Sequence, residues 1–259
     1  VRRSLRKIVL AGGGLLLLAT GMGVAVYQAS QQVPDFYQEA LTADVVRQEA
    51  ASRQMLQQAT TLVNEAQKPG IWRAEFTDEQ INGWLAVDLE QKHPDALPKQ
   101  VSDPRVAIRS DGARIGWRWN TEGLSTVFWL DMDVYLAEPN VLALEIRGAQ
   151  AGTVPLPLSR VLDEVTRVAS SLDLQVSWAE SEGHPTALLK IPPPEEEDNK
   201  AVIVDDVELR DGSLYLSGKT VPLAELAQYL KEAQAAEEAA EQGLDHAVGS
   251  SPANEKLTR

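Results

Sequence analysis

The chain has no cysteine, so it can form no disulfide, hold no zinc through thiolates and use no thiol nucleophile. Histidine is almost as scarce. His93, His184 and His246 stand alone, without the close pairing that a metal centre requires. Neither a metal nor a cofactor is expected. Aromatic residues make up only 5% of the sequence, so the core must be built mainly from aliphatic side chains. Also missing are the G-x-S-x-G elbow, the phosphate-cradling glycine loop and the H-E-x-x-H helix. The chain is therefore expected not to be an enzyme.

Positive charge is in short supply, and part of it is gathered at one end. Arg2, Arg3, Arg6 and Lys7 precede residues 8–27, "IVLAGGGLLLLATGMGVAVY", which carry no charge. About 20 apolar residues suffice to span a bilayer core as a helix. Residues 1–30 are expected to be an anchor, with the basic end cytoplasmic and the rest of the chain extracytoplasmic. A cleaved signal peptide is the alternative, since Gly23 and Ala25 supply small residues at suitable offsets. The apolar run is longer than a usual signal core, which favours the anchor and a single-pass membrane protein. Without those four basic residues the remainder holds 20 basic against 38 acidic side chains, a net −18. Such a field repels nucleic acid and anionic lipid surfaces alike, so no nucleic-acid partner is expected.

Residues 35–67 carry Leu41, Val45, Met55, Leu56, Leu62 and Val63 as a broken apolar stripe, with Pro34 at the entry and Pro69-Gly70 at the exit. The pattern predicts one long helix, and residues 31–70 are expected to form a stalk or to lie on the domain behind it. Thr77 then stands three residues before Gln80, the spacing of a capping box, and Phe76 and Ile81 have the spacing of a hydrophobic staple. A helix over 78–91 follows. Asp78 and Glu79 suit its positive N-terminal end. Asn82 borders the apolar face and can tie down a neighbouring backbone. Gly83 costs about 1 kcal/mol relative to Ala inside a helix, which points to the close approach of another segment or to simple tolerance. Asp88 falls inside the apolar arc of Ile81, Trp84, Leu85 and Leu89, where it either pairs with an arginine, reaches solvent at the helix end or carries a proton.

From residue 101 the period changes to two. "PRVAIRS", "ARIGWRWN", "STVFWLDMDVYLAEP" and "NVLALEIRGAQ" alternate as strands joined by Asp111-Gly112, Glu122-Gly123 and Pro139-Asn140 turns. Short turns make the sheet antiparallel. In the third strand Phe128, Leu130, Met132, Val134 and Leu136 share one face, opposite Trp129, Asp131, Asp133 and Tyr135. The fourth places Leu142, Leu144 and Ile146 on one face, opposite Glu145 and Arg147. The Asp131/Asp133 pair invites thoughts of calcium or acid–base chemistry, but Arg147 beside it points to ordinary cross-strand ion pairs. Ser159 can cap another helix, over 159–172. "LQVSWAE" with "TALLKIP" and "AVIVDDVELRDGSLYLSG" read as two further hairpins. Residues 192–200 read as an acidic linker, and residues 220–259 as an acidic helix and tail.

The order of anchor, "FTDEQINGWL", long alternating strands and "VPLPLSRVL" resembles small membrane-anchored bacterial proteins of the tubular lipid-binding type, over residues 71–219. That resemblance implies an α+β fold in which a long, curved antiparallel sheet wraps a helix and presents an apolar groove for acyl chains. The expected lining is Phe128, Leu130, Met132, Val134, Leu142, Leu144 and Ile146. The same seven residues would equally form a sealed core beneath helices. Two functions are carried forward: a non-enzymatic lipid or amphiphile binder at the cell envelope, and an envelope scaffold that binds a protein partner through its stalk and acidic helix.

Overall fold

The structure is a computed structural model and describes residues 22–159, 162–163, 166–167, 176–181, 183–191 and 199–226. The expected anchor lies outside them except for residues 22–30, which form a helix, α1. No helix among the described residues is long and apolar enough to cross a membrane. The expected C-terminal helix also lies outside, apart from a helical start at 223–226.

The fold is α+β. Helices α2 (Asp35–Leu41) and α3 (Val45–Ala66) lead into strand β1 (Gly70–Thr77). Helix α4 (Asp78–Trp84) follows and continues as a π-helix over Leu85–Lys92. Next come β2 (Val101–Arg109), β3 (Gly112–Thr121), β4 (Leu124–Glu138), β5 (Val141–Ala151) and the short β6 (Val154–Pro155). Strands β7 (Val176–Ser181) and β8 (His184–Lys190), then β9 (Lys200–Arg210) and β10 (Ser213–Pro222), complete the chain. Seven strands form an antiparallel sheet in the order β2-β3-β4-β5-β8-β7, with β6 paired to β5. A second, three-stranded sheet has the order β1-β10-β9. Residues 158, 159, 162, 163, 166 and 167 are helical, so a helix is present where one is expected but begins before Ser159, its expected cap.

Three expectations need correction. The segment 35–67 is not one helix. It breaks at 42–44, where Asp44 accepts a hydrogen bond from Arg47 N and starts α3 afresh. Nor does it stand away from the domain as a stalk. Phe36 and Tyr37 of α2 are buried against Val127, and Leu62 and Ala66 of α3 pack on Trp72. The apolar stripe also does not mark the inner side throughout. Val45, Leu56 and Val63 are exposed, whereas Ala51 and Ser52 are buried. Small side chains are needed there because α4 crosses at Gly83, where a Cβ would lie 2.7 Å from Ala51 Cβ, Gln48 O and Ser52 N. The glycine therefore marks close approach, not tolerance.

Strand β1 is the element that the sequence reading lacks. Its Trp72, Ala74 and Phe76 are buried and alternate with exposed Arg73 and Glu75. Trp72 joins Val204 and Val207 in one apolar cluster with Val134, Leu136 and Leu142 of the large sheet. Asn140, at φ 63°, fixes this junction. Its side chain donates to Val202 O at 3.0 Å and accepts from Val204 N at 2.7 Å, so the β4–β5 turn is tied to the backbone of β9.

Candidate functional site

The capped helix is a clasp on a sheet edge. Thr77 and Gln80 form the expected capping box, with Gln80 N donating to Thr77 Oγ1 at 3.1 Å and Thr77 N to Gln80 Oε1 at 3.0 Å. Strand β2 would otherwise leave unpaired backbone groups along its outer edge, a template for unwanted strand addition. Asn82 replaces a missing strand there, donating to Val106 O at 2.8 Å and accepting from Val106 N at 2.7 Å. Asp78 accepts from the backbone at Ile108, and Glu90 accepts from Asp103 N at 2.9 Å. Positions 78, 82 and 90 share one helix face, so three side chains meet successive groups of the edge. Tyr37, fully buried, donates its hydroxyl to Asp103 O at 2.7 Å. Burial, more than the nearby Asp103 charge, holds its phenol protonated well above the ordinary range.

Asp88 is buried at 7% exposure, yet its carboxyl is held below the usual carboxylate range. The hydrogen bond from Lys92 Nζ, at 2.5 Å, is the larger cause and one from Ser52 the second; together they outweigh the cost of burial. It pins the π-helical stretch to α3 and is paired, though with Lys92 rather than with the expected arginine; the proton-carrier role has no geometric support.

A cleft of about 440 Å³ lies where the α2–α3 elbow, the start of α4 and β2 meet, lined by Asp44, Arg47, Asp78, Glu79 and Arg109 among others. Asp44, Asp78 and Glu79 are occupied. Arg47 holds Glu79 through two contacts of 2.5 and 3.1 Å, and this hydrogen bonding lowers the glutamate's affinity for protons. Asp78 is pushed the other way by burial, although it accepts backbone hydrogen bonds. The arrangement fixes one helix to another and to the sheet edge.

The Asp131/Asp133 pair is likewise engaged. Arg147 lies 3.5 Å from Asp131 and 3.3 Å from Asp133, and Arg114 reaches Asp131 at 3.5 Å. Arg147 is the extra residue of a bulge, because Asp131 faces Gly148 while Met132 faces Ile146. This face of the sheet is not solvated along its whole length. Val127 is buried beneath α2, Trp129 is packed beside it, and Trp129 Nε1 donates to Gly152 O at 2.8 Å. Glu145, at 8% exposure, sits with its carboxylate 3.2 Å from His184 Nδ1, a contact that neither residue's isolated position announced.

The seven expected lining residues do share the opposite face. The register pairs Met132 with Ile146, Val134 with Leu144 and Leu136 with Leu142, and on the far side of the bulge Leu130 with Ala149 and Phe128 with Ala151. They do not share one environment. Leu130 and Ile146 are buried, whereas Val134 and Leu142 are half-buried and pack on the cluster between the two sheets. Phe128, Met132 and Leu144 are half-buried. The register also adds residues that pattern reading left out. Trp117 faces Phe128 and Ile115 faces Leu130, while Trp119 pairs with Thr126 on the same side. Trp117 stacks on Phe128 with centroids 6.3 Å apart and planes 18° apart, and Trp119 meets the same ring edge-on at 6.1 Å. Trp178 of β7, on this face through Ala187 and Leu144, donates to Thr166 Oγ1 at 2.9 Å, so helical residue Thr166 lies on that side. The alternation of "RIGWRWN" was a visible signal, but only the register decides which of its faces joins Phe128.

Compared with protein-family models, with curated proteins and with solved structures, the chain matches none.

Proposed function

We propose that the protein is a non-enzymatic, membrane-tethered binder of lipid or another amphiphile, which takes an acyl chain along the Trp117–Phe128–Met132 stretch of its seven-stranded sheet. One observation carries the reading. Among the described residues, the second sheet packs on the apolar face at its Val134–Leu142 end. Beyond that it continues over half-buried Met132, Phe128, Trp117 and Trp119, with buried Leu130 and Ile146 between them. Broad half-covered apolar surface of this kind is uncommon in proteins unless something binds to it. The engaged acids described above support a binding role over a catalytic one. Binding of a fluorescent fatty-acyl probe to the full chain in mild detergent tests it. Met132→Trp fills the stretch and should cut probe binding at least tenfold while leaving Tm within a few degrees. A folded wild-type chain that takes up no probe would remove the proposal.

The scaffold alternative draws on a different surface. Val45, Leu56 and Val63 lie on one outward side of α3 at helical spacing, exposed by 63%, 43% and 56%. Leu56→Asp with Val63→Asp would abolish a protein partnership there and leave probe binding intact.

A further inference from the structure

The end of the expected membrane segment is fastened to one particular end of the large sheet. Residues 22–30 form one helix, so Ala29 lies only about 3 Å further along the axis than Tyr27, the last residue of the apolar run. Ala29 O accepts from Thr153 N at 3.1 Å and from Thr153 Oγ1 at 3.2 Å. Gln31 Nε2 donates to Thr126 Oγ1 at 3.0 Å, and Thr153 Oγ1 also contacts Gln32 Oε1 at 3.3 Å. The fit at Gly152 is tight. With φ at 59°, a Cβ there would lie 2.4 Å from Ala29 O and 2.6 Å from Ser30 O. The tether therefore meets the sheet through a packed joint with little freedom to swivel.

That joint selects which end of the sheet faces the bilayer. Thr126 is directly opposite Trp119, and Phe128 stacks on Trp117 one step further in, about 7 Å along the strand. The half-buried aromatic cluster is thus the part of the apolar face nearest the tether. Tryptophan favours the interfacial depth of a membrane, where its ring is half apolar and half wet. The rim suits such a place. Asn120, Thr121, Gly123, Ser125, Thr126, Gly152 and Thr153 carry no charge, and Glu122 is the single acid among them, on a chain of net −14.

We propose that this rim seats on the surface of the bilayer that holds the tether, and that Trp117, Trp119 and Phe128 form the mouth through which an acyl chain passes from that bilayer onto the sheet. The occupant is a phospholipid of the same membrane, delivered without crossing water. The inference rests on the lipid-binding reading for its cargo, while its orientation rests on the joint and on the expected membrane anchor.

Because the chain has no cysteine, single fluorophores can be placed cleanly. Ser125→Cys marks the rim and Asp111→Cys the opposite end of the sheet, about 30 Å away along β3. The full chain is reconstituted in phosphatidylcholine vesicles containing a headgroup-nitroxide lipid. Quenching at the rim should exceed that at residue 111 at least threefold. Equal quenching, or stronger quenching at residue 111, overturns the orientation. A second arm measures transfer of a fluorescent phospholipid from the vesicle to the chain, and binding of a monomeric fatty-acyl probe. Trp119→Ser should slow transfer at least fivefold, and by more than it weakens probe binding; unchanged transfer, or a fall no larger than the fall in probe binding, overturns the mouth. If the rim is quenched but no wild-type chain takes up either probe, the mouth fails together with the lipid-binding reading, while the seating of the rim stands.

Discussion

Replacing Asn82 is the sharpest test of how the sheet edge is held. Its carboxamide makes two hydrogen bonds to one residue, 2.8 Å to Val106 O and 2.7 Å from Val106 N. Asn82→Ala removes both, each worth about 1 kcal/mol net, and strands two half-buried backbone groups to which water has partial access. The expected loss is about 2–3 kcal/mol. For a chain of this size 1 kcal/mol moves Tm by about 2–4 °C, so Tm should fall by roughly 4–12 °C. Asn82→Asp separates the donor from the acceptor. The introduced carboxylate still accepts from Val106 N but turns a second lone pair toward Val106 O. It should be at least as harmful as alanine at pH 7. The facing carbonyl raises its folded pKa, so stability falls as pH rises through the carboxylate range and partly returns on acidification, when the protonated group can donate. Urea melts of the full chain at pH 7 and pH 4 measure both effects. A change below 0.5 kcal/mol for Asn82→Ala, roughly the scatter of ordinary surface substitutions, would refute the clasp.

Gly83→Ala gains about 1 kcal/mol of helix propensity but places a Cβ 2.7 Å from the backbone at Gln48 O and Ser52 N. Overpacking of about 1–3 kcal/mol should win; a raised Tm would show that α3 and α4 are not in close contact. For Asp88 the folded pKa is depressed, so its contribution is present above the unfolded carboxylate value and is lost as pH falls through the lower folded one. Asp88→Asn should therefore flatten the acid limb of a stability–pH profile, and an unaltered limb would contradict the Lys92 and Ser52 contacts. Tyr37→Phe should cost about 1–2 kcal/mol by orphaning Asp103 O. In an alkaline ultraviolet titration of the wild type, one of the five tyrosines should resist ionisation until the chain unfolds.

Much of the sheet was legible because period two is a local signal. The β2–β5 meander, both later hairpins and the shared face of Phe128 through Val134 follow from alternation and from D-G and P-N turns. The Thr77 capping box was equally local. What was not legible depended on partners distant in sequence. Strand β1 was hidden because "GIWRAEF" is short and pairs with residues 213–220, nearly 150 positions away. The inner side of α3 was misjudged because a close helix crossing selects Ala51 and Ser52 over larger apolar residues. Trp117 and Trp119 could be assigned to the apolar face only through the pairing of β3 with β4. The division of that face into an end packed on the second sheet and a stretch beyond it depends on where that sheet docks, which no local pattern encodes.

Photo-crosslinking tests the central claim most directly. The full chain in phosphatidylcholine vesicles is exposed to a fatty acid carrying a diazirine on its acyl chain, and modified peptides are mapped by mass spectrometry. Acyl binding on the sheet predicts labels on residues 113–119 of β3 and 128–132 of β4, diminished by Met132→Trp. Labels confined to the apolar residues 8–27, or to Val45, Leu56 and Val63 on the outside of α3, would contradict it.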